Sequence, residues 1–338
     1  MSLYARSRGL FSLTLLALFL DLTALAWVVY SAYTDRDALV KIRSALFTES
    51  VDERILFELA PWNQPESFIS DTEASKAAWV DKFRNEVEYL DQVLSLEGSA
   101  SDRAKAMVPI FSRNGGAGIC GGLGDLADVL QTIGKDDGYG CCSDHSQSFI
   151  ALASLSGIDA REMSHSDHVF AEFYDPEMEQ WVWIDPQFAL MALDESGRYL
   201  SLLELRDRYI EGRPPEFEFI GNEYHDLAGR DPHEHAYYNE ASDFAVYSAT
   251  WGNNVFEQDA LNRRLGFLPI PIRQLFGMMT GQIPGFRMLS DGRSERPEVL
   301  GRQRIRSLGV LAALAVVNLA VPVGLIASWR RSSPGVSN

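Results

Sequence analysis

Apolar positions change their spacing several times along the 338-residue chain. Residues 10–33 (LFSLTLLALFLDLTALAWVVYSAY) and 307–328 (SLGVLAALAVVNLAVPVGLIAS) are almost unbroken apolar runs. Each reaches the length of about 20 residues that a bilayer-spanning helix needs. Between them the polar pattern returns. Ala38, Ile42, Ala45 and Leu46, and then Trp79, Phe83, Val87, Leu90 and Val93, recur at the spacing of amphipathic helices. A further helix is expected from Cys142 to Ser156, with Phe149, Leu152 and Ser156 on roughly one face and Gly157 as its left-handed stop. The period then drops to two, which predicts strands over 160–164, 167–174 and 180–184. Helical spacing resumes over 200–210 and is broken by Pro214-Pro215. Residues 216–260 read as irregular, acidic and aromatic. The apolar stretch 267–289 is interrupted by Pro269, Pro271 and Pro284, and suits lining a groove, resting on a bilayer surface or packing on the domain.

The two strands after Gly157 make a specific geometric expectation. Val169, Ala171 and Phe173 alternate with His168, Phe170, Glu172 and Tyr174, and Val182 and Ile184 alternate with Trp181, Trp183 and Asp185. Asp175-Pro176-Glu177-Met178 between them has Asp and Pro where a type I turn favours them. A hairpin symmetric about Pro176-Glu177 sets Tyr174 opposite Glu179, Phe170 opposite Trp183 and His168 opposite Asp185. Directly opposed Cβ atoms lie about 4.5–5.5 Å apart, within reach of an imidazole–carboxylate hydrogen bond. A one-residue slip would put the two side chains on opposite faces. The apolar faces of the hairpin are expected to pack on the helix that begins at Cys142.

Composition narrows the partners. A formal net charge of −17 repels phosphate backbones, so nucleic acid is excluded as a partner. The apolar ends imply two membrane spans. Arg6 and Arg8 ahead of the first give it the layout of a signal anchor, which implies an exported central domain, although the arginines flanking the spans lean slightly the other way. Three cysteines leave a Cys120–Cys141 bridge open in an oxidising compartment.

The candidate chemistry lies in one stretch. A thiolate is the attacking form of cysteine. Cys142 at a helix start gains from the helix dipole, His168 could take and return a proton, and Asp185 could hold the imidazole in one tautomer. Taken singly, each residue is more often a packed thiol, a satisfied polar group or turn chemistry. Their order and the hairpin register favour a joint site. Asp136, Asp137 and Asp144 would oppose thiolate formation if they lie close.

Other constellations are weaker. Gly116-Ala117-Gly118-Ile119-Cys120-Gly121 fits a dinucleotide fingerprint, but Asp136 and Asp137, the acidic candidates downstream, sit in a turn with no following parallel strand in the reading. Gly118-Ile119-Cys120-Gly121-Gly122 imitates a nucleophile elbow without the surrounding α/β pattern. His225, His233 and His235 with Asp226, Asp231 and Glu234 lack a helical or cysteine frame, and no metal or other cofactor is expected.

Four blocks resemble the transglutaminase-like superfamily, which is papain-like in fold. They are Gly140-Cys141-Cys142-Ser143-Asp144-His145-Ser146, Gly157-Ile158-Asp159-Ala160-Arg161, His168-Val169-Phe170-Ala171-Glu172-Phe173 and Trp181-Val182-Trp183-Ile184-Asp185-Pro186. The resemblance covers about fifty residues, and Phe170 stands where the family usually has tryptophan. It implies Cys142 as nucleophile, His168 as general base and Asp185 as orienting carboxylate. Cys142 fits the spacing to Asp144 and Ser146 better than Cys141 does. It also implies an α+β core in which a cysteine-bearing helix packs on an antiparallel sheet carrying the histidine and aspartate.

The expected organisation is therefore a transmembrane signal anchor over 10–33, a helical neck over 34–104, a transglutaminase-like core over 105–220, an irregular acidic extension over 221–306 and a second transmembrane helix over 307–328. The expected activity is acyl transfer or hydrolysis on an amide of a peptide or protein, at an inner membrane and with room for membrane-complex partners. The competing expectation is a non-catalytic binding or scaffold module in an envelope or polysaccharide-assembly complex.

Overall fold

The structure is a computed structural model. It describes residues 71–118, 125–165, 168–223 and 254–283, with shorter stretches at 19–24, 36–59, 64–65, 225, 228–234, 238, 246–249, 285–289 and 298–310 and single residues at 26, 30, 312 and 316. Contacts divide the chain into two compact units, one of residues 1–47 with 298–338 and one of residues 48–297.

In the first unit the described residues form α1 (Arg36–Phe47) and helical runs over 19–24 and 298–310. Among the described residues, no helix is long and apolar enough to cross a membrane. This corrects the expected pair of flanking transmembrane helices, and with them the two-span inner-membrane localisation. The described stretch 298–310 supplies about 20 Å of helix at about 1.5 Å per residue, against a hydrocarbon core of about 30 Å, and its first turns carry a Glu298–Arg302 ion pair. Most of 10–33 and 307–328 lies outside the described residues.

The second unit is α+β. Its strands are β1 (Thr48–Val51), β2 (Gly116–Ala117), β3 (Tyr139–Gly140), β4 (Ala160–His165), β5 (His168–Asp175), β6 (Gln180–Asp185), β7 (Leu190–Leu193), β8 (Glu216–Phe219), β9 (Val246–Ala249) and β10 (Phe286–Leu289). Its helices are α2 (Arg54–Leu59), α3 (Glu73–Phe83), α4 (Leu90–Leu94), α5 (Ala100–Phe111), α6 (Leu126–Ile133), α7 (Cys142–Leu155), α8 (Leu202–Ile210), α9 (Val255–Arg264) and α10 (Ile270–Met279). The main sheet runs β1-β10-β9-β4-β5-β6-β7-β8, and β4 to β8 form a five-strand antiparallel meander within it.

The meander separates two cores. On one face Ala171, Phe173, Val182 and Ile184 pack with Phe149, Ile150, Leu152 and Ala153 of α7 and with residues of α3 to α6. On the other, Phe170, Trp183, Leu190 and Ala192 pack with Phe188, Leu202, Leu203 and Tyr238. Burying one such side chain contributes about 1.5–3 kcal/mol, so alternation on two strands decides which face meets which layer. Helix α7 ends where the sequence indicates. Gly157 sits at φ 68, Ile158 N–H donates to the Ala153 carbonyl (2.9 Å) and Gly157 N–H to that of Ser154 (3.2 Å), the paired bonds of a Schellman stop.

The hairpin register differs from the symmetric expectation. Asp175 pairs with Gln180, Phe173 with Val182 and Glu172 with Trp183. Each partner is displaced by two residues from the hairpin centred on Pro176-Glu177. Asp175 remains in the strand and its Oδ1 accepts from Glu177 N–H (2.9 Å) and Met178 N–H (3.3 Å), so the turn moves on to 176–179. Glu179 closes it in the left-handed region at φ 52.

Three more readings change. Residues 190–193 and 216–219 are paired strands, where 216–260 read as irregular. Residues 270–279 are helical despite Pro271, because a proline in the first turn removes an N–H that has no acceptor there. Strand β3 does follow α6 in parallel with β2, contrary to the reading of the glycine-rich segment, although the pairing spans two residues on each side and 119–124 lie outside the described residues.

Candidate active site

Cys142 is the first residue of α7 and is partly exposed. Its neighbour Cys141 caps the helix and is engaged in a disulfide, whereas Cys142 is free. Cys120 lies outside the described residues. Asp144 fastens the helix start by accepting from Cys141 N–H at 2.9 Å. Burial pushes its carboxyl up, and that backbone bond opposes the rise. One turn further on, the Ser146 hydroxyl donates to the Val169 carbonyl at 3.2 Å. The first turn of α7 is thereby held beside the start of β5, where His168 stands.

His168 and Asp185 are both fully buried, and His168 Nε2 meets Asp185 Oδ2 at 2.5 Å. Burial alone would lower the imidazole pKa. The Asp185 charge and hydrogen bond outweigh it, the neighbouring Cys142 sulfur adds to them, and the group is raised to about 9. At neutral pH the ring is therefore a cation lying between a carboxylate and a thiol. Asp185 behaves in the opposite sense. Burial raises its carboxyl, while the His168 charge, the bonds from His168 and Tyr238, and the Phe188 backbone bring it below the usual range.

Asp185 has four donors. Oδ1 accepts from Gln187 N–H (3.0 Å) and Phe188 N–H (3.1 Å), and Oδ2 from His168 Nε2 and the Tyr238 hydroxyl. These fill the roughly four acceptor positions of a carboxylate. The imidazole is walled by Phe170 (5.6 Å between centroids), Phe188 (5.4 Å) and Tyr238 (6.4 Å). Phe170, at the position where the resemblance would put tryptophan, stands edge-on to both His168 and Trp183.

The structure thus brings Cys142, His168 and Asp185 together. Two of the acidic residues that would oppose a thiolate have partners of their own. Asp136 pairs with Arg113 at 2.7 Å, and Asp144 caps the helix. Among the described residues no His, Cys, Asp or Glu cluster could hold a metal ion. His225 instead bonds the Gln187 carbonyl at 2.9 Å and packs on Phe219, and His233 packs on Phe217. Asp226 and His235 lie outside the described residues.

Sequence reasoning missed Tyr238 and the supporting role of His225. Tyr238 is 53 positions from Asp185 and belongs to no periodic pattern, so its partner is visible only in three dimensions. Gly115 is the third support. At φ 67 a Cβ there would lie 2.6 Å from the Gln187 carbonyl and 2.7 Å from the His225 ring, so glycine lets this backbone approach the loop that follows Asp185. No family model, curated protein or solved structure matches the chain.

Proposed function

We propose that this protein is a thiol enzyme of transglutaminase-like type, acting on an amide of a peptide or protein through a thioester on Cys142. The observation that carries the reading is the buried His168 ring, bonded to Asp185 and electrostatically coupled to the free Cys142 thiol. The cationic imidazole can give its proton to a leaving group and take it back, and the start of α7 adds the positive end of the helix dipole. The thiolate sulfur bonds the amide carbon, and the carbonyl electrons move to oxygen. The unsatisfied N–H groups of the first helical turn are the donors for that oxyanion. As the electrons return, the C–N bond breaks and the amine leaves with the His168 proton. Water or a second amine then attacks the thioester, His168 takes the incoming proton, and the Cys142 thiolate departs.

The test is alkylation by iodoacetate across pH, on the unmodified protein and on Cys142→Ala and Cys141→Ala. An anionic electrophile reports the imidazolium as well as the thiolate. The unmodified protein should label fast at neutral pH, with the rate falling above about 9 as His168 loses its proton, and Cys141→Ala should keep that fast component beside the thiol its disulfide partner releases. Cys142→Ala should not label. If Cys142→Ala labels like the unmodified protein, the nucleophile is misassigned. Slow labelling that rises monotonically with pH, as for an isolated thiol, would favour a non-catalytic scaffold.

A further inference from the structure

We propose that Tyr238 is a positioning residue of this site, whose hydroxyl fixes the Asp185 carboxylate in the rotamer that receives the His168 ring. The inference rests on the reading of Cys142, His168 and Asp185 as a nucleophilic site and extends it to a fourth side chain.

The argument begins with burial. Asp185 is fully enclosed and Tyr238 is 2% exposed, so water cannot replace a lost donor at that oxygen. Gln187 and Phe188 N–H both bind Oδ1, and that end of the carboxylate is set by its own chain. Oδ2 has only side-chain donors, His168 and Tyr238. The imidazole must exchange protons with Cys142 during a reaction, so the bond from His168 changes strength in each cycle. The phenol takes no part in that exchange and keeps one donor on Oδ2.

The ring itself is clamped. Tyr238 stands edge-on to His168 (90°), to Phe188 (5.9 Å, 83°) and to Trp183 (6.3 Å, 87°), and leans on Phe217 at 5.2 Å. A phenol held on four sides loses little further freedom in making its bond. The titratable groups against the carboxylate are His168 from β5 and Tyr238. Cys142 reaches it through His168, and His225 through the Gln187 carbonyl.

Tyr238→Phe keeps the ring and removes the donor. A hydrogen bond to a buried charged group is worth roughly a tenfold effect or more. Iodoacetate alkylation of Cys142 at pH 7 should therefore slow by about tenfold, and the melting temperature should fall as well, because a buried oxygen loses a donor that water cannot replace. The acid limb of its pH profile should move to higher pH, because Asp185 then protonates more easily. Replacing Tyr238 by 3-fluorotyrosine, a stronger donor of almost the same shape, should move that limb to lower pH. The second variant decides the matter even if Tyr238→Phe does not fold. Coincident acid limbs in the unmodified and 3-fluorotyrosine proteins would overturn the role of Tyr238 alone. An unmodified protein that labels no faster than an isolated thiol would overturn the reading beneath it.

Discussion

His168 and Asp185 are diagonal neighbours across the β5–β6 pair, not directly opposed residues, and their side chains still close to 2.5 Å. Extending the observed register by one step sets Asp185 opposite Phe170, which leaves His168 two residues further along its strand. Diagonal positions on one face lie about 7–8 Å apart, a gap that the length of an imidazole spans and a shorter side chain would not.

Against the larger opposing effect of burial, the carboxylate charge at that spacing is the leading influence that raises the ring's pKa. Asp185→Asn should keep the backbone bonds to Gln187 and Phe188 and lose the charge that holds His168 cationic. The high-pH fall of the iodoacetate profile should then move from about 9 toward the ordinary imidazole range. Cys142 labelling at pH 8 should drop by at least about tenfold, since each unit of displacement is worth a factor of ten. An unmoved profile would mean that Asp185 does not govern the ring.

The same pair sets a pH dependence of stability. The folded His168 pKa, about 9, lies above its ordinary value of 6.5. The stabilisation from binding this proton is full below about 6.5 and is lost as pH rises from there through 9. Urea unfolding of the unmodified protein and of His168→Gln should therefore converge over that interval. Asp185, held low, contributes in the opposite direction. Its share is present above the usual carboxylate range and lost in acid.

Glu179 offers a test of the turn. A non-glycine residue at φ 52 carries a steric penalty that glycine avoids. Glu179→Gly should stabilise the protein by up to about 1 kcal/mol, with Cys142 labelling unchanged. Glu179→Val should destabilise it.

Buried behind the site, Arg161 binds Glu172 Oε2 (2.6 Å from Nη2), and Glu172 Oε1 accepts from Leu202 N–H at the start of α8 (2.7 Å). Removing one partner strands the other charge. Glu172→Gln should cost about 3–5 kcal/mol, whereas Arg161→Met with Glu172→Met should cost less than the single change. Chemical denaturation of the three proteins checks the order.

Much of this was legible in the residues. Alternation on β5 and β6 identified the two faces, Gly157 marked the end of α7, and the spacing of Cys142 to Asp144 and Ser146 singled out the thiol that the structure leaves free. The register was not legible, because Asp-Pro chemistry fits a turn starting at Asp175 as well as one for which Asp175 is the last paired residue. Only the side-chain bonds from Asp175 Oδ1 to the Glu177 and Met178 backbone choose between them. Strands β7 and β8 were overlooked because both are only four residues long, too short to establish a period. Tyr238 and His225 act through contacts distant in sequence, which no local pattern encodes. The apolar ends read by length alone as membrane spans. Among the described residues, no helix is long and apolar enough to be one.

The displaced turn has a consequence for how this hairpin can vary. At fixed sequence, a site shared by two adjacent strands survives a shift of their register only in even steps, since an odd step turns one partner away. Moving from a turn centred on Pro176-Glu177 to one over 176–179 is such an even step, and both residues stay in reach. The pair is therefore separated by a one-residue slip of the strands, whereas residues added within the turn, with the strand pairing unchanged, leave His168 and Asp185 on one face.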